Sequence, residues 1–230
     1  MRIYQNFPEA LGEIKRDLAE MGIRIHPKTY QDKNVENNPD FDAFELQNYI
    51  YTVTDPQSDQ LNPTQPWADA EFQERISRAA INPGEAWKLR REIWEEFLVK
   101  SSTGEDRFAY TYAERFGEFQ QLDRLITQLQ GDSDSRQIFL SVWNPSDVLY
   151  LGGKSRVPCS LGYYFQLRQG QLNMTYLQRS ADYATHFVND VYLATLLMSH
   201  VAQRVRAPLG HYTHWLGSLH IFAKDTQGVF

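Results

Sequence analysis

A single cysteine, Cys159, is all the thiol the chain has. An internal disulfide is therefore excluded, and a reducing, cytoplasmic setting is expected. No run of about twenty apolar residues occurs, which argues against a membrane-spanning helix. The opening residues, MRIYQNFPEALGEIKRDL, lack the basic-then-apolar pattern of an export signal. Positive charge is also scarce: 23 Lys and Arg against 29 Asp and Glu leave a net charge of −6. That balance disfavours a nucleic-acid or membrane surface as partner, yet it permits a few arginines around one phosphate. The histidines, His211 and His214 of HYTH among them, fall in no ligand spacing, so no metal site is expected. No internal repeat is present. What the chain does have is apolar and aromatic material, 42% and 13% of 230 residues. That is enough for one sizeable core, and residues 1–230 read as a single domain.

Leu11, Ile14, Leu18 and Met21 recur at helical spacing and predict an opening helix. Asp55 to Pro66, DPQSDQLNPTQP, reads as a loop from its Pro, Asn and Asp content. From Pro83 a helix is predicted through EAWKLRREIWEEFLVK, with Ala86, Leu89, Ile93 and Phe97 inward, and another through EFQQLDRLITQL. After Asp134 the texture turns to strands, IFLSVW, LGYYFQL and QLNMTYLQ, the last two joined by a turn at Arg168–Gly170; TLLMSHVAQRV then returns to helix. Helices first and a sheet later, without regular βα alternation, predict an α+β fold.

The segments that carry chemistry lie in the second half. Cys159 follows Pro158 at the end of a Gly-Gly-Lys loop, where a side chain can face a cleft instead of a core. In QRSAD, the guanidinium fork of Arg179 stands beside the Ser180 hydroxyl, a pairing suited to a phosphate monoester. Four blocks, DSRQIFLSVWNPSDV, VPCS, YLQRSADYATHFVND and LGSLHIF, occur in the order and nearly the spacing of the thymidylate synthase superfamily, which the chain resembles from about Pro83 to Phe222.

The resemblance implies a mixed β-sheet flanked by helices and a homodimer packed through the sheets. It makes Cys159 the nucleophile that adds to C6 of a pyrimidine, because sulfur addition breaks the ring conjugation and gives C5 nucleophilic character. Arg179 and Ser180 would hold the phosphate of a nucleoside monophosphate. Arg136 would reach the neighbouring subunit's phosphate, with Gln137 where a second arginine is expected. IWEEFL resembles the helix that carries the family's buried glutamate; of Glu92, Glu95 and Glu96, a helical projection sets Glu96 beside Leu89 and Ile93. Burial there would raise its pKa and suit proton relay. Tyr112 resembles the tyrosine beside the nucleophile, with Ala113 in place of glycine. His220 would bond the sugar 3′-hydroxyl, with Phe222 where the family has tyrosine, and Asp182 stands in the folate-facing position. The implied co-substrate is 5,10-methylenetetrahydrofolate.

Asp190 bears on the base. The synthases have asparagine at the matching position, whose amide donates to a uracil carbonyl and accepts from N3–H. Cytosine inverts that pattern: a carboxyl accepts from its amine, and one shared proton completes the bond to N3. The pair Asn189-Asp190 and the run Gly217–His220 (GSLH) both resemble deoxycytidylate hydroxymethylases, so dCMP or CMP is the expected substrate and a 5-hydroxymethyl nucleotide the expected product. The chain stops eight residues after Phe222, and without a long closing tail water would reach the reacting carbon. A competing expectation for Asp190 is a helix N-cap. Methyl transfer, and a non-catalytic nucleotide-binding role, are the alternative functions.

Overall fold

The computed structural model describes residues 2–30, 33–152 and 156–230. Among these, a seven-stranded mixed sheet forms the centre. Its strands are β1 (Arg2–Tyr4), β2 (Ile23–Ile25), β3 (Ala43–Val53), β4 (Phe139–Ser141), β5 (Ser160–Arg168), β6 (Gln171–Asp182) and β7 (Leu209–Phe222). They lie in the order β1-β3-β7-β6-β5-β4, with β2 also on β3. β6 and β7 run parallel, and β3 and β5 flank them antiparallel. The predicted turn between β5 and β6 is present, with Gln169 and Gly170 at φ of 52° and 76°.

Alternation along β6 and β7 decides which face is covered. Leu172, Met174, Tyr176 and Gln178 are buried with Tyr212, His214 and Leu216, while Thr175, Leu177, Thr213 and Trp215 between them are half-buried. The buried face packs on α1 (Phe7–Met21) through Phe7, Ala10, Ile14 and Leu18, and on α6 (Val188–Val205) through Val191, Ala194, Met198 and Val201. Asn6 caps α1 by accepting from the Glu9 N–H at 3.0 Å. No helix among the described residues is long and apolar enough to cross a membrane.

The α+β expectation and the mixed sheet are found, but three readings need correction. The first half, where only helices and a loop were expected, contains an eleven-residue strand, β3. Its period-2 signal is broken at Asn48, whose φ of 50° is left-handed. Between Asp55–Pro66 and Pro83 lies a further helix, α2 (Trp67–Ile76). The predicted continuous helix after Pro83 is instead a chain of single turns: Ala86–Arg90, then α3 (Arg91–Trp94), then Glu95–Phe97, followed by an extended Val99–Lys100. Arg90 leaves helical geometry (φ −143°, ψ 47°), and its buried guanidinium donates to the Thr185 carbonyl at 3.0 Å. Trp87, Trp94 and Phe97 take the inward positions, so Leu89 is 50% exposed, as is Met21 at the end of α1. α4 (Tyr112–Gly117) and α5 (Gln121–Gly131) then bring the chain to β4, close to the predicted third helix.

Candidate active site

The carboxyl ends of the parallel pair β6 and β7 open into a cleft of about 610 Å³. β6 delivers Arg179, Ser180 and Asp182 to it, and β7 delivers Ser218, His220 and Phe222. The parallel register sets Ser180 against Ser218 and Asp182 against His220. Gly217 makes that approach possible: a Cβ there would lie 2.8 Å from the Arg179 carbonyl oxygen, closer than real contacts allow. The β5 side brings the loop Arg156–Cys159, and the start of α6 brings Asp190.

Cys159 is half-buried and lines the cleft. Its carbonyl accepts from the Arg179 N–H at 2.8 Å, and the Arg179 guanidinium donates to the carbonyls of Pro158 (2.8 Å) and Val157 (3.2 Å). The arginine expected at the phosphate thus also fixes the loop that carries the thiol. Gly153 and Lys154 of the Gly-Gly-Lys loop lie outside the described residues. On the other side of Cys159, the Ser160 hydroxyl joins Tyr112 and Tyr176 at 2.8 and 2.6 Å. Tyr112 is therefore tied to the residue next to the thiol, and burial holds its phenol well above the usual tyrosine range.

Asp190 sits in the first turn of α6, three residues in, and caps nothing: the cap position is Phe187, without a side-chain bond. Its Oδ2 accepts from Gln178 Nε2 at 2.7 Å. Burial pushes its carboxyl up to about 6, against the pull of the Gln178 bond and of Arg75, Arg156 and Arg90. Its neighbour Asn189 turns away, accepting from the Thr64 N–H at 2.7 Å. Asp182 does cap a helix start, accepting through Oδ1 from the N–H groups of Ala184 (3.1 Å) and Thr185 (3.4 Å). Burial lowers the pKa of His220, whose Nδ1 is 3.5 Å from the Ser218 hydroxyl. Ser218 in turn donates to Glu45.

Two expected residues stand apart. Glu96 is not among the residues lining the cleft; its side chain is 43% exposed and pairs with Lys33 at 2.7 Å. The projection that placed it inward assumed a continuous helix, and the break at Arg90 rotates it out. Glu92 and Glu95 are exposed as well. The glutamates that line the cleft are Glu71 and Glu74 of α2. Glu74 is engaged by the N–H groups of Glu85 (2.6 Å) and Ala86 (2.9 Å). Glu71 pairs with Arg75 at 2.8 Å, and the Arg75 guanidinium lies 3.8 Å over the Tyr112 ring. Arg136 is exposed and lines no part of this cleft. Among the described residues, no cluster of three or more His, Cys, Asp or Glu could hold a metal.

A thymidylate synthase family model matches residues 84–229, more than half of the chain. The chain belongs to the thymidylate synthase family. A thymidylate synthase of Mycoplasma genitalium is 27% identical over 61% of this chain, which spans about half (51%) of that relative's length. A Methanothermobacter marburgensis protein, provisionally named a thymidylate synthase, is 29% identical with 90% of each chain covered. Thermostable thymidylate synthase A of Bacillus subtilis superposes with a TM-score of 0.74 over 98% of this chain and 83% of its own, at 18% identity, which establishes the shared fold.

Within this family fold, sequence reading missed Glu71, Arg75, Arg156 and His186. Arg156 lies over the rings of Trp94 (4.8 Å) and Phe97 (4.4 Å), and burial drives the His186 pKa down to about 3. The signal for Glu71 and Arg75 was their i,i+4 spacing beside Ala68 and Phe72 on α2. Nothing local marks Arg156 or His186.

Proposed function

We propose that the chain is a C5 one-carbon transferase acting on a cytosine nucleotide. It would convert dCMP or CMP, with 5,10-methylenetetrahydrofolate and water, to the 5-hydroxymethyl nucleotide and tetrahydrofolate. The observation that carries this reading is Asp190. It lines the cleft with one oxygen engaged by the buried Gln178, and a carboxyl with a pKa of about 6 can share one proton with cytosine N3 while accepting from the exocyclic amine. The GSLH run at Gly217–His220 supports the same assignment.

Cys159 would add to C6 and so activate C5. Tyr112 and Ser160 orient the segment that bears the thiol. Glu71, in place of Glu96, is the carboxylate positioned to move protons at the reacting ring, with Arg75 holding it. Arg179 and Ser180 would bind the phosphate and His220 a sugar hydroxyl. Phe222 offers that sugar no hydroxyl partner, so either ribose or deoxyribose is accommodated. The donor set also suits a pterin: Trp87 and Trp94 line the cleft with buried indole N–H groups that have no partner among the described residues, and both bonds to Asp182 fall on Oδ1, leaving Oδ2. When bound, the folate supplies the carbon that C5 receives. A homodimer through the open sheet face would cover Leu177 and Trp215 and bring Arg136 to the second copy's phosphate.

The relatives' names favour a second reading, methyl transfer at the same carbon. Mass spectrometry of products from dCMP, CMP and dUMP with methylenetetrahydrofolate decides between them. A hydroxymethyl cytosine nucleotide with tetrahydrofolate is expected; dihydrofolate and a methyl product would replace that assignment with methyl transfer.

A further inference from the structure

His214 is fully buried and is not among the residues lining the cleft, yet it is joined to Asp190 through one intermediary. Its Nε2 is 3.0 Å from Gln178 Oε1, and its Nδ1 is 3.1 Å from the Tyr51 hydroxyl and 3.4 Å from that of Tyr212. The ring is clamped flat, stacked on Tyr176 at 4.4 Å and 18° and on Phe187 at 5.9 Å and 10°. Bond polarity along this line follows from its end. An ionised Asp190 only accepts, so the Gln178 amide must turn its N–H toward Asp190 and its oxygen toward His214. A proton is then required on Nε2 of His214, and Nδ1 must accept from a tyrosine hydroxyl. Burial keeps the imidazole well below its ordinary pKa and hence neutral, with one N–H to give.

We infer that His214 is a positioning residue for base recognition: its fixed tautomer locks the Gln178 amide so that an N–H, never a carbonyl, is presented to Asp190. This rests on Asp190 as the base-reading group. Without the imidazole N–H, the Gln178 oxygen is left unpaired in the core and the amide is free to rotate. A carbonyl turned toward the carboxylate repels the charged form, so the Asp190 pKa rises and its second oxygen is no longer fixed for the base. The other charged groups around Asp190 are Arg75 from α2, Arg156 from the thiol loop and Arg90 from the broken helical stretch, with the phenols of Tyr112, Tyr163, Tyr176 and Tyr212 beyond. None of them contacts His214 except Tyr176 and Tyr212, so replacing His214 leaves the charges in place.

The test uses His214→Phe, which keeps a stacked ring, and His214→Gln, whose amide can restore a donor to Gln178. The Asp190 carboxyl is titrated by carbon-13 NMR, assigned with Asp190→Asn, and kcat/KM for dCMP and dUMP is measured against pH. For H214F the carboxyl midpoint should rise by about one pH unit, with the controlling pKa of the dCMP profile moving alongside and the dCMP-to-dUMP ratio falling roughly tenfold. H214Q should lie between H214F and wild type. If H214F does not fold, the same comparison is made with H214Q and Tyr51→Phe, each expected to raise the midpoint by a smaller step. An unmoved carboxyl midpoint in the folded variants overturns the positioning role. A midpoint that moves while Asp190→Asn leaves the base preference unchanged overturns the base-reading assignment and upholds the link between His214 and Asp190.

Discussion

At the scale of single residues, the cleft combines groups that the sequence names with groups it hides. Asp190 gives the sharpest expectation. Its folded pKa of about 6 lies above the ordinary aspartate value of 3.8, so the carboxyl favours folding at low pH, and that contribution is lost as pH rises through about 6. Each pH unit between the two values is worth about 1.4 kcal/mol, which puts the cost of the buried charge at neutral pH at no more than about 3 kcal/mol. Asp190→Asn should therefore raise the melting temperature at pH 7.5 and flatten its pH dependence between about 4 and 6, while moving the dCMP-to-dUMP ratio of kcat/KM by at least roughly tenfold toward uracil. Thermal melts across pH, set beside the two kcat/KM values, test both halves. The two candidate carboxylates separate just as cleanly. Glu71→Gln should lower kcat by about a hundredfold or more, as loss of a proton-relaying group does. Glu96→Gln should change it only a few-fold, because an exposed pair with Lys33 is worth little. Equal losses in both variants would return Glu96 to the site.

Among elements, the close approach of β6 and β7 sets the cleft's shape. The two strands are parallel, so their carboxyl ends meet and deliver Arg179–Asp182 and Ser218–His220 side by side. Gly217 is the point where a side chain would break that meeting. Gly217→Ala should cost about 1–3 kcal/mol as a Cβ pushes on the Arg179 backbone, and should raise KM for the nucleotide more than the stability loss alone explains. Denaturant melts and KM measured on the same preparation distinguish this from a purely local effect. The thiol loop is a second such element. It is held by the Arg179 guanidinium on two carbonyls, so changes at Arg179 act on Cys159 as well as on any phosphate.

For the whole molecule, the open face of the sheet and the exposed Arg136 make one expectation. If two copies pack through Leu177 and Trp215, Arg136 of each would complete the other's phosphate site. Mixing inactive Cys159→Ala with weakened Arg136→Ala subunits, after co-refolding, should then restore activity above that of either alone, because one intact site forms in the mixed dimer. Sedimentation of the wild-type chain as a monomer, with no restoration on mixing, would remove the dimer.

The sequence by itself determined the family through four ordered motifs, together with the mixed sheet and the cleft positions of Cys159, Arg179, Ser180, Asp182, Asp190 and His220, because those residues lie on β6 and β7, just before β5 or in the first turn of α6, where local pattern and tertiary placement agree. It could not determine β3, whose alternation is interrupted at Asn48, nor the turns after Pro83, where Trp87, Trp94 and Phe97 outcompete a regular helical face for the interior. Glu71 reaches the cleft only because α2 packs against α4 and α6. His214 is linked to Asp190 through Gln178 only because β3, β6, β7 and α6 bring Tyr51, Gln178, His214 and Asp190 into one buried chain of bonds. Contacts between distant segments depend on packing free energy that no local window contains, and that is why the tertiary structure alone decided which glutamates line the cleft and which buried groups bond to Asp190.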